Sequence, residues 1–305
     1  MAVARITGLV PATFTPFAPD GALELGVVPQ QAEHCLAAGI TTVFIGGTTG
    51  ECHSLSLAER QALARRWFEV AQGTPLQIVV HVGANCLGDA CALARQAAEL
   101  GARAIAAMAP SYFKPRTVSA LVDWCAAIAA AAPQTPFYFY DFPALTGVSL
   151  PMPTFLAQAQ ERIPNLAGLK FTNPDLLAYQ LCLHAAEGRF DVLYGIDEWL
   201  LAALALGGQG AVGSTYNFAA PLFQRLLQAF RRGDLTSAQT EQFRAAELIH
   251  LLSGYGFLGA AKAVMQMLGV KVGPVRPPLD NPSPEQVATL RRQLEQLGFF
   301  DWVKP

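Results

Sequence analysis

The feature of this sequence that most restricts its fold is a regular alternation of short apolar runs with longer helical runs rich in Ala and Leu. The short runs have the character of buried strands, and about eight strand and helix pairs follow one another in roughly 220 residues. Strands separated by helices pair in parallel through right-handed crossovers. The predicted strands cover residues 6–13, 41–45, 76–82, 103–109, 137–140, 166–170, 190–194 and 210–213.

Two architectures fit such a pattern, and the sequence favours one of them. An open doubly wound sheet that binds a dinucleotide carries a Gly-x-Gly-x-x-Gly motif after its first strand, and no such motif follows residues 6–13. Eight consecutive units instead favour a closed barrel. We therefore predict an α/β fold, namely a (β/α)8 TIM barrel with additional C-terminal helices.

The last part of the chain is predicted to be helical throughout. Apolar periodicity covers residues 221–232, 235–252, 257–268 and 284–297. We assign residues 1–232 to the barrel, with its site at the carboxyl ends of the strands, and residues 233–305 to a helical extension packed on it. The extension has too little core signal of its own to be a separate catalytic domain.

Composition and charge exclude several classes of function. The chain has 305 residues, 52% of them hydrophobic, and a net charge of −2, which gives no electrostatic basis for binding nucleic acid or an anionic membrane. Pro11 and Pro16 interrupt the N-terminal apolar run, and no run reaches the roughly 18 apolar residues of a membrane span. We expect a cytoplasmic protein without nucleic-acid or membrane partners.

Cysteine and histidine spacing gives no sign of a metal site. The six cysteines contain no Cys-x-x-Cys pair, and in a chain of this length they are expected to be reduced thiols. The five histidines show no His-x-x-x-His spacing, so no metal ligand set is predicted.

One lysine is distinguished by its position. Lys170 closes the apolar run 166–170, which lies between Pro164 and Pro174 and is predicted to be a buried strand. Burial disfavours the ammonium ion and can lower the pKa of a lysine by several units. A neutral amine is a nucleophile that forms Schiff bases with carbonyl compounds. The alternative is a lysine whose ammonium group reaches from the strand end to water.

Other polar residues follow neighbouring strands, at the rim where barrels of this type carry their chemistry. Tyr140 ends the fifth strand beside Lys170 on the sixth, so a phenol and an amine are expected to meet there. Such a tyrosine can move the protons that Schiff-base chemistry requires, or it can be a half-buried aromatic with a wet hydroxyl. Residues 46–51, Gly-Gly-Thr-Thr-Gly-Glu, follow the second strand. Their amides and hydroxyls can hold an anion, although a plain turn has the same composition.

Further candidates follow the last two strands. Asp197 and Glu198 come after the seventh strand, and Ser214 and Thr215 come after the eighth. A helix is predicted over residues 197–206, and two carboxylates at its start can simply complement the helix macrodipole. On the same rim as Lys170 they can also accept hydrogen bonds from substrate hydroxyls, which predicts a polyhydroxylated substrate.

Five segments of the chain resemble the class I pyruvate aldolases, the family that includes dihydrodipicolinate synthase and N-acetylneuraminate lyase. The resemblance covers nearly the whole barrel in order and is greatest to the lyase branch and its animal-type sequences, through residues 108–115 and 211–217. The segments are residues 47–51, 140–147, 168–172, 195–198 and 213–217.

The resemblance implies a role for each matching residue. A family lysine forms a Schiff base with C2 of a 2-oxo acid and a tyrosine moves the proton, and these match Lys170 and Tyr140. A Gly-Thr-Thr loop holds the pyruvyl carboxylate, and it matches Thr48 and Thr49. The residues implied to bind the sugar chain of a sialic acid are Thr172, Gly195, Asp197, Glu198 and Ser214.

Two further positions indicate which branch of the family the chain resembles and how its subunits associate. The synthase branch typically carries an arginine at the position of Leu145, which argues against dihydrodipicolinate synthesis. Tyr112 matches a tyrosine that in many family members reaches the active site of a neighbouring subunit, although Ser111 and Phe113 depart from the usual aromatic pair. The resemblance implies a homotetramer.

The implied activity is reversible aldol cleavage of N-acetylneuraminate to pyruvate and N-acetylmannosamine, without a metal or organic cofactor. One alternative is the same chemistry on another 2-oxo sugar acid, such as 2-keto-3-deoxygluconate. The other is a catalytically silent barrel that senses a sugar acid, which the presence of both Lys170 and Tyr140 disfavours.

Overall fold

A computed structural model describes residues 5–304, and within them eight parallel strands form one sheet in the order β1-β8-β7-β6-β5-β4-β3-β2. Each predicted strand is present. In chain order they are β1 Gly8–Pro11, β2 Thr42–Ile45, β3 Gln77–His81, β4 Ala104–Met108, β5 Phe137–Asp141, β6 Leu166–Phe171, β7 Asp191–Tyr194 and β8 Gly210–Gly213.

Contacts between β1 and β2 close the sheet into a barrel. Ala12, which follows β1, forms a parallel bridge with Phe44, and the backbone N–H of Thr13 donates to Phe44 O at 3.0 Å. On its other side β1 pairs with β8 from Gly8 opposite Gly210 onward. The predicted (β/α)8 TIM barrel is confirmed.

Side chains alternate between the interior of the barrel and the layer under the helices, because successive residues of a strand face opposite sides. Val10, Val79 and Val212 belong to the interior cluster, and a larger buried cluster lies between the strands and the helices. At the amino ends of the strands the Tyr138 hydroxyl donates to Asp191 Oδ2 at 2.8 Å inside the barrel. The interior is therefore filled, and the carboxyl ends of the strands are left to form a site.

The helices follow the strands in alternation. Ser56 caps the second helix, since its Oγ accepts from Glu59 N and the Glu59 carboxylate accepts from Ser56 N. The helices are α1 Val28–Ala37, α2 Leu57–Ala71, α3 Leu87–Glu99, α4 Val118–Ala130, α5 Pro143–Thr146, α6 Met152–Arg162, α7 Leu176–His184, α8 Leu200–Ala205, α9 Tyr216–Arg231, α10 Leu235–Ser253, α11 Phe257–Met267, α12 Pro284–Leu297 and α13 Phe299–Trp302.

Two helix boundaries differ from the sequence prediction. The helix expected over residues 197–206 begins as the 3-10 turn Asp197–Trp199 and continues as α8. Helix α9 begins at Tyr216 and not at Pro221, because one helical turn forms before Ala219 leaves the helical dihedrals at φ −129°. Proline cannot continue the hydrogen-bond ladder of the preceding turn, so the pattern alone suggested a start at Pro221.

The C-terminal helices return to the barrel and pack against its rim. The Gln242 side chain of α10 accepts from Leu201 N at 2.7 Å and donates to Asp197 O at 3.2 Å. The domain boundary at residue 232 stays a prediction. Within residues 5–304 no single helix is long and apolar enough to cross a membrane, and the α10 and α11 pair meets those criteria only jointly, with a bend of 111°.

Candidate active site

The amine of Lys170 lies in an apolar, aromatic setting at the carboxyl end of β6. The residue is 4% exposed, and Nζ lies 4.2 Å from the ring centroid of Phe44 and 3.9 Å from that of Tyr140. Within residues 5–304 Nζ makes no hydrogen bond or ion pair with another side chain or backbone group. Burial lowers the pKa of Lys170 to about 7, against an opposing effect of the Asp197 charge. A large fraction of the amine is therefore neutral and nucleophilic near neutral pH.

Tyr140 is the partner of Lys170 in the pairing of β5 with β6. Both residues point into the barrel. Because they are directly opposite each other in the strand pairing, the phenol and the amine lie at the same rim. The Tyr140 hydroxyl shares a hydrogen bond of 3.3 Å with Thr48 Oγ1. Burial raises the pKa of the phenol, so it is a proton donor or relay and not a standing phenolate.

Residues 46–51, which we call the Gly-Thr-Thr loop, form a tight turn after β2. The backbone N–H of Glu51 donates to Thr48 O at 2.9 Å. Thr48 is half-buried, and Thr49 Oγ1 shares a hydrogen bond of 2.6 Å with Ser214 Oγ, which follows β8 on the other side of β1. The loop thus presents two hydroxyl groups on the Lys170 side of the rim.

A buried histidine supports the start of this loop. His81 is 1% exposed, and its Nδ1–H donates to Gly46 O at 2.9 Å while Nε2 accepts from Met108 N at 3.4 Å. Burial places the pKa of His81 well below its usual value, so the ring stays neutral in this tautomer. Nothing in the local pattern around His81 marks it as a functional position.

A cavity of about 430 Å³ opens above Lys170 and unites the predicted residues. Its size is within the range of small-molecule sites. Of the residues predicted to bind substrate or react with it, all line this cavity: Thr48, Thr49, Tyr140, Lys170, Thr172, Gly195, Asp197, Glu198 and Ser214.

The two carboxylates after β7 have different environments. Asp197 is 6% exposed, and its Oδ2 accepts hydrogen bonds from the Thr215 N–H at 2.9 Å and from the Thr215 hydroxyl. Glu198 is half-buried. Burial raises the pKa of both, in Asp197 against the Thr215 hydrogen bonds. Asp197 is therefore rigidly held, whereas Glu198 is freer to meet a ligand.

Gly195 is required by the close approach of β6 and β7. A Cβ at this position would lie 1.9 Å from Thr172 Oγ1, and the Gly195 N–H donates to Phe171 O at 2.8 Å. The Thr172 hydroxyl therefore lies directly against the Gly195 backbone at the cavity wall. No side chain larger than hydrogen fits this contact without displacing the strand end.

Tyr112 does not belong to the cavity of its own chain. It is 77% exposed on the loop after β4, in edge-to-face contact with the 85% exposed Phe113, and its backbone N–H donates to Asn85 Oδ1 at 3.2 Å. Leu145 is 60% exposed and lies at the mouth of the cavity, on α5. Two large aromatic rings left in solvent are typical of a protein contact surface.

The sequence did not predict the wall that the C-terminal helices supply. Ile249 and Ser253 of α10 and Phe257 and Leu258 of α11 line the cavity, as does Phe142, whose ring stacks on Tyr140. Apolar periodicity indicates which face of α10 and α11 is buried, and it does not distinguish a cavity wall from a core contact. Within residues 5–304 no three His, Cys, Asp or Glu side chains cluster as a metal site.

The arrangement can perform Schiff-base chemistry on a carbonyl compound. It combines a desolvated amine, a phenol within reach of the amine, hydroxyl donors for an anion, and polar groups further along the cavity. These features agree with a comparison of the chain with known proteins.

The model of the dihydrodipicolinate synthetase family matches residues 5–297. N-acetylneuraminate lyase of Gallus gallus is 40% identical over 301 residues, which cover 97% of this chain and 98% of that protein. The structure of the N-acetylneuraminate lyase, or sialic acid aldolase, of Aliivibrio salmonicida matches with a TM-score of 0.94 at 41% identity, over 97% and 98% of the two chains. That of the Proteus mirabilis N-acetylneuraminate lyase matches with a TM-score of 0.94 at 38% identity, over 97% and 100%. The resemblance in the sequence is thus confirmed, and the chain belongs to the dihydrodipicolinate synthetase family.

Proposed function

We propose that this protein is a Schiff-base aldolase that reversibly cleaves N-acetylneuraminate to pyruvate and N-acetylmannosamine. The observation that carries the proposal is the buried amine of Lys170, whose Nζ lies 3.9 Å from the ring of Tyr140 and has a pKa lowered to about 7. The similarity to N-acetylneuraminate lyases over nearly the whole chain supports the choice of substrate.

The reaction begins with attack of the neutral Lys170 amine on C2 of the open-chain sugar acid. Loss of water gives a protonated imine, which draws the electrons of the C3–C4 bond as that bond breaks. The C4 hydroxyl loses its proton, N-acetylmannosamine leaves as an aldehyde, and the remaining enamine is protonated at C3 and hydrolysed to pyruvate. The imine is itself the electron sink, so the scheme includes no metal or organic cofactor.

Tyr140 is the proton carrier in this scheme. Its ring lies 3.9 Å from the amine, and its hydroxyl is bonded to Thr48 Oγ1 at 3.3 Å, which offers a path for a proton between the phenol and a bound pyruvyl group. Thr48 and Thr49, with the amides of the Gly-Thr-Thr loop, hold the pyruvyl carboxylate. An anion suits this position because the loop contributes donors and the neighbouring Lys170 is cationic in the imine.

The sugar chain extends along the cavity away from this loop. Thr172, Gly195, Asp197, Glu198 and Ser214 line that part and offer acceptors and donors to its hydroxyl groups. Phe257 and Leu258 add apolar surface on the same cavity. A mixed polar and apolar wall is what a sugar, with its hydroxyls and C–H faces, requires.

Covalent trapping tests the proposal. Borohydride with pyruvate should add a three-carbon adduct to the peptide that contains Lys170, and Lys170→Ala should abolish both the adduct and cleavage. Tyr140→Phe should still be trapped in part, with turnover lowered by about 10²-fold or more, the scale of a lost general acid or base. An adduct on Lys262 or Lys114, or cleavage by Lys170→Ala, would contradict the assignment. Trapping without cleavage of any sugar acid would instead favour the sensing barrel.

We also propose a homotetramer in which Tyr112 contacts a neighbouring subunit. Tyr112 and Phe113 are strongly exposed on the loop after β4, and Leu177 and Leu181 form a second exposed apolar strip on α7. Exposed apolar side chains in such groups favour association. The cytoplasmic location stays a prediction.

A further inference from the structure

A buried ion pair joins the Gly-Thr-Thr loop to α11. Glu51 Oε1 lies 2.6 Å from Lys262 Nζ, and the two side chains are 0% and 1% exposed. Nζ also donates to Thr15 O at 2.9 Å and to Pro274 O at 2.7 Å, so three oxygen atoms surround the ammonium group. The other carboxylate oxygen of Glu51 accepts from the backbone N–H of Arg276 at 2.8 Å. Each oxygen of Glu51 therefore faces a different donor.

The backbone of Glu51 is in the left-handed region, with φ 54° and ψ 40°. Residues other than glycine rarely adopt this region, so the surrounding contacts must hold Glu51 there. The Glu51 N–H donates to Thr48 O at 2.9 Å, and the next N–H, of Cys52, donates to Gly47 O at 3.2 Å. The position of Glu51 thus sets the curvature of the turn that carries Thr48 and Thr49.

Helix α11 carries both the anchor of this loop and a wall of the cavity. Leu258 and Lys262 are four residues apart and so lie on one face of α11. Leu258 and its neighbour Phe257 line the cavity, whereas Lys262 is directed to Glu51. One rigid helix therefore connects the apolar wall to the loop with the two threonines.

We propose that Glu51 and Lys262 are positioning residues for the aldol reaction: they fix the Gly-Thr-Thr loop in the geometry that binds the pyruvyl carboxylate and lock it to α11. This inference rests on the proposed function. Among residues 5–304 neither side chain lines the cavity above Lys170, so both act through Thr48 and Thr49. A charged carboxylate is required, because Lys262 and the Arg276 backbone N–H face separate oxygens of Glu51, and a glutamine would turn its NH2 group, which only donates, toward one of them.

The test compares Glu51→Gln and Lys262→Met with a matched control, Glu241→Gln. The Glu241 carboxylate is also mostly buried and accepts from Arg225 at 3.0 Å and Arg244 at 2.8 Å, away from the cavity. The measured quantities are the pyruvate concentration that half-saturates borohydride trapping, kcat and KM for cleavage, and Tm. We expect Glu51→Gln and Lys262→Met to raise the half-saturating pyruvate concentration by about tenfold or more, the scale of a misplaced binding group.

Glu241→Gln should lower Tm and leave the half-saturating concentration within about twofold of the parent value, since its effect is confined to stability. Glu51→Asp, which keeps the charge and retracts it by one methylene, should give an increase smaller than that of Glu51→Gln. If a folded Glu51→Gln protein has the same half-saturating pyruvate concentration as the parent, the positioning role is overturned. Failure of both Glu51 variants to fold at 10 °C or so would also overturn it, because the ion pair would then be required for folding. A parent protein that pyruvate does not trap would instead overturn the proposed function.

Discussion

At the scale of single residues, the chemistry depends on an amine that is shielded from water and has no carboxylate in contact with it. Lys170 Nζ lies 4.2 Å and 3.9 Å from the ring centroids of Phe44 and Tyr140 and forms no ion pair within the described residues, and Asp197 acts on it only through its charge. An adjacent carboxylate would raise the pKa of the lysine and keep it protonated. Cation–π contact with Phe44 and Tyr140 stabilises the charged form only modestly, by about 0.5–2 kcal/mol.

The lowered pKa of Lys170 predicts that stability and Schiff-base trapping both rise with pH, over adjacent pH ranges. Between the folded pKa of about 7 and the ordinary lysine value of 10.5, the unfolded chain holds a proton that the folded chain has lost, so stability rises with pH over that window. Below pH 7 the buried ammonium costs its full desolvation penalty. Lys170→Met should therefore have a larger free energy of unfolding than the parent at pH 6, by on the order of a few kcal/mol. This gain in stability should vanish near pH 10 or so.

Measuring urea unfolding of both proteins at each pH cancels the titration of other groups. Trapping by pyruvate and cyanoborohydride should weaken in the same acidic range, about tenfold per pH unit below 7, because the nucleophile is the neutral amine. A trapping rate that keeps rising about tenfold per pH unit from about pH 7 to 10, instead of levelling off, would show that the pKa of Lys170 is not lowered.

At the scale of elements, the ends of the parallel strands explain why sequence reasoning found most of the site. Parallel strands end at one rim, so placing Lys170 and Tyr140 at the ends of neighbouring strands was enough to bring them together. The sequence did not predict the cavity wall formed by Phe257 and Leu258 or the Glu51–Lys262 ion pair. They depend on how α11 docks on the rim, which no local spacing or periodicity specifies.

Gly195 allows a prediction about the end of β7. A Cβ there would lie 1.9 Å from Thr172 Oγ1 and 3.1 Å from Thr172 Cα, so Gly195→Ala must push β7 away from β6. We expect a loss of about 1–3 kcal/mol of stability, the usual cost of overpacking, and weakened cleavage because Asp197 and Glu198 follow directly. Gly88→Ala is the control, since its Cβ would meet only Cys86 Sγ at 3.7 Å on α3 and should not lower stability. Parental Tm and kcat/KM in Gly195→Ala would contradict this view of the strand end.

At the scale of the whole molecule, the cavity is built from two parts of the chain with separate tasks. The barrel supplies the amine, the phenol and the Gly-Thr-Thr loop, while α10 and α11 extend the wall beyond the rim. The extension also contacts the turn that carries Asp197, through Gln242. A substrate that contacts this outer part of the cavity must extend well beyond its pyruvyl group.

Substrate length therefore separates the proposed reaction from the same chemistry on a shorter acid. Glu198 follows β7, next to Asp197 in the part of the cavity assigned to the sugar chain, and it is freer than Asp197, which Thr215 holds. We expect a nine-carbon sialic acid bound through Lys170 to extend to these carboxylates and a six-carbon acid to end before them. Losing a hydrogen bond to a charged group costs on the order of 1.5–3 kcal/mol, which is roughly tenfold to a hundredfold in kcat/KM.

We expect Glu198→Ala to lower kcat/KM for N-acetylneuraminate by that factor and to leave pyruvate trapping nearly unchanged, because in the proposed reaction Thr48, Thr49 and Lys170 hold the pyruvyl half. Asp197→Ala should lower cleavage at least as much and should also destabilise the fold, since the Thr215 N–H and hydroxyl lose their buried acceptor. Pyruvate release from N-acetylneuraminate and from 2-keto-3-deoxygluconate is the measurement. Parental cleavage of N-acetylneuraminate by both variants, or a parental preference for 2-keto-3-deoxygluconate, would refute the sialic acid assignment and leave the aldolase chemistry of Lys170 and Tyr140 in place.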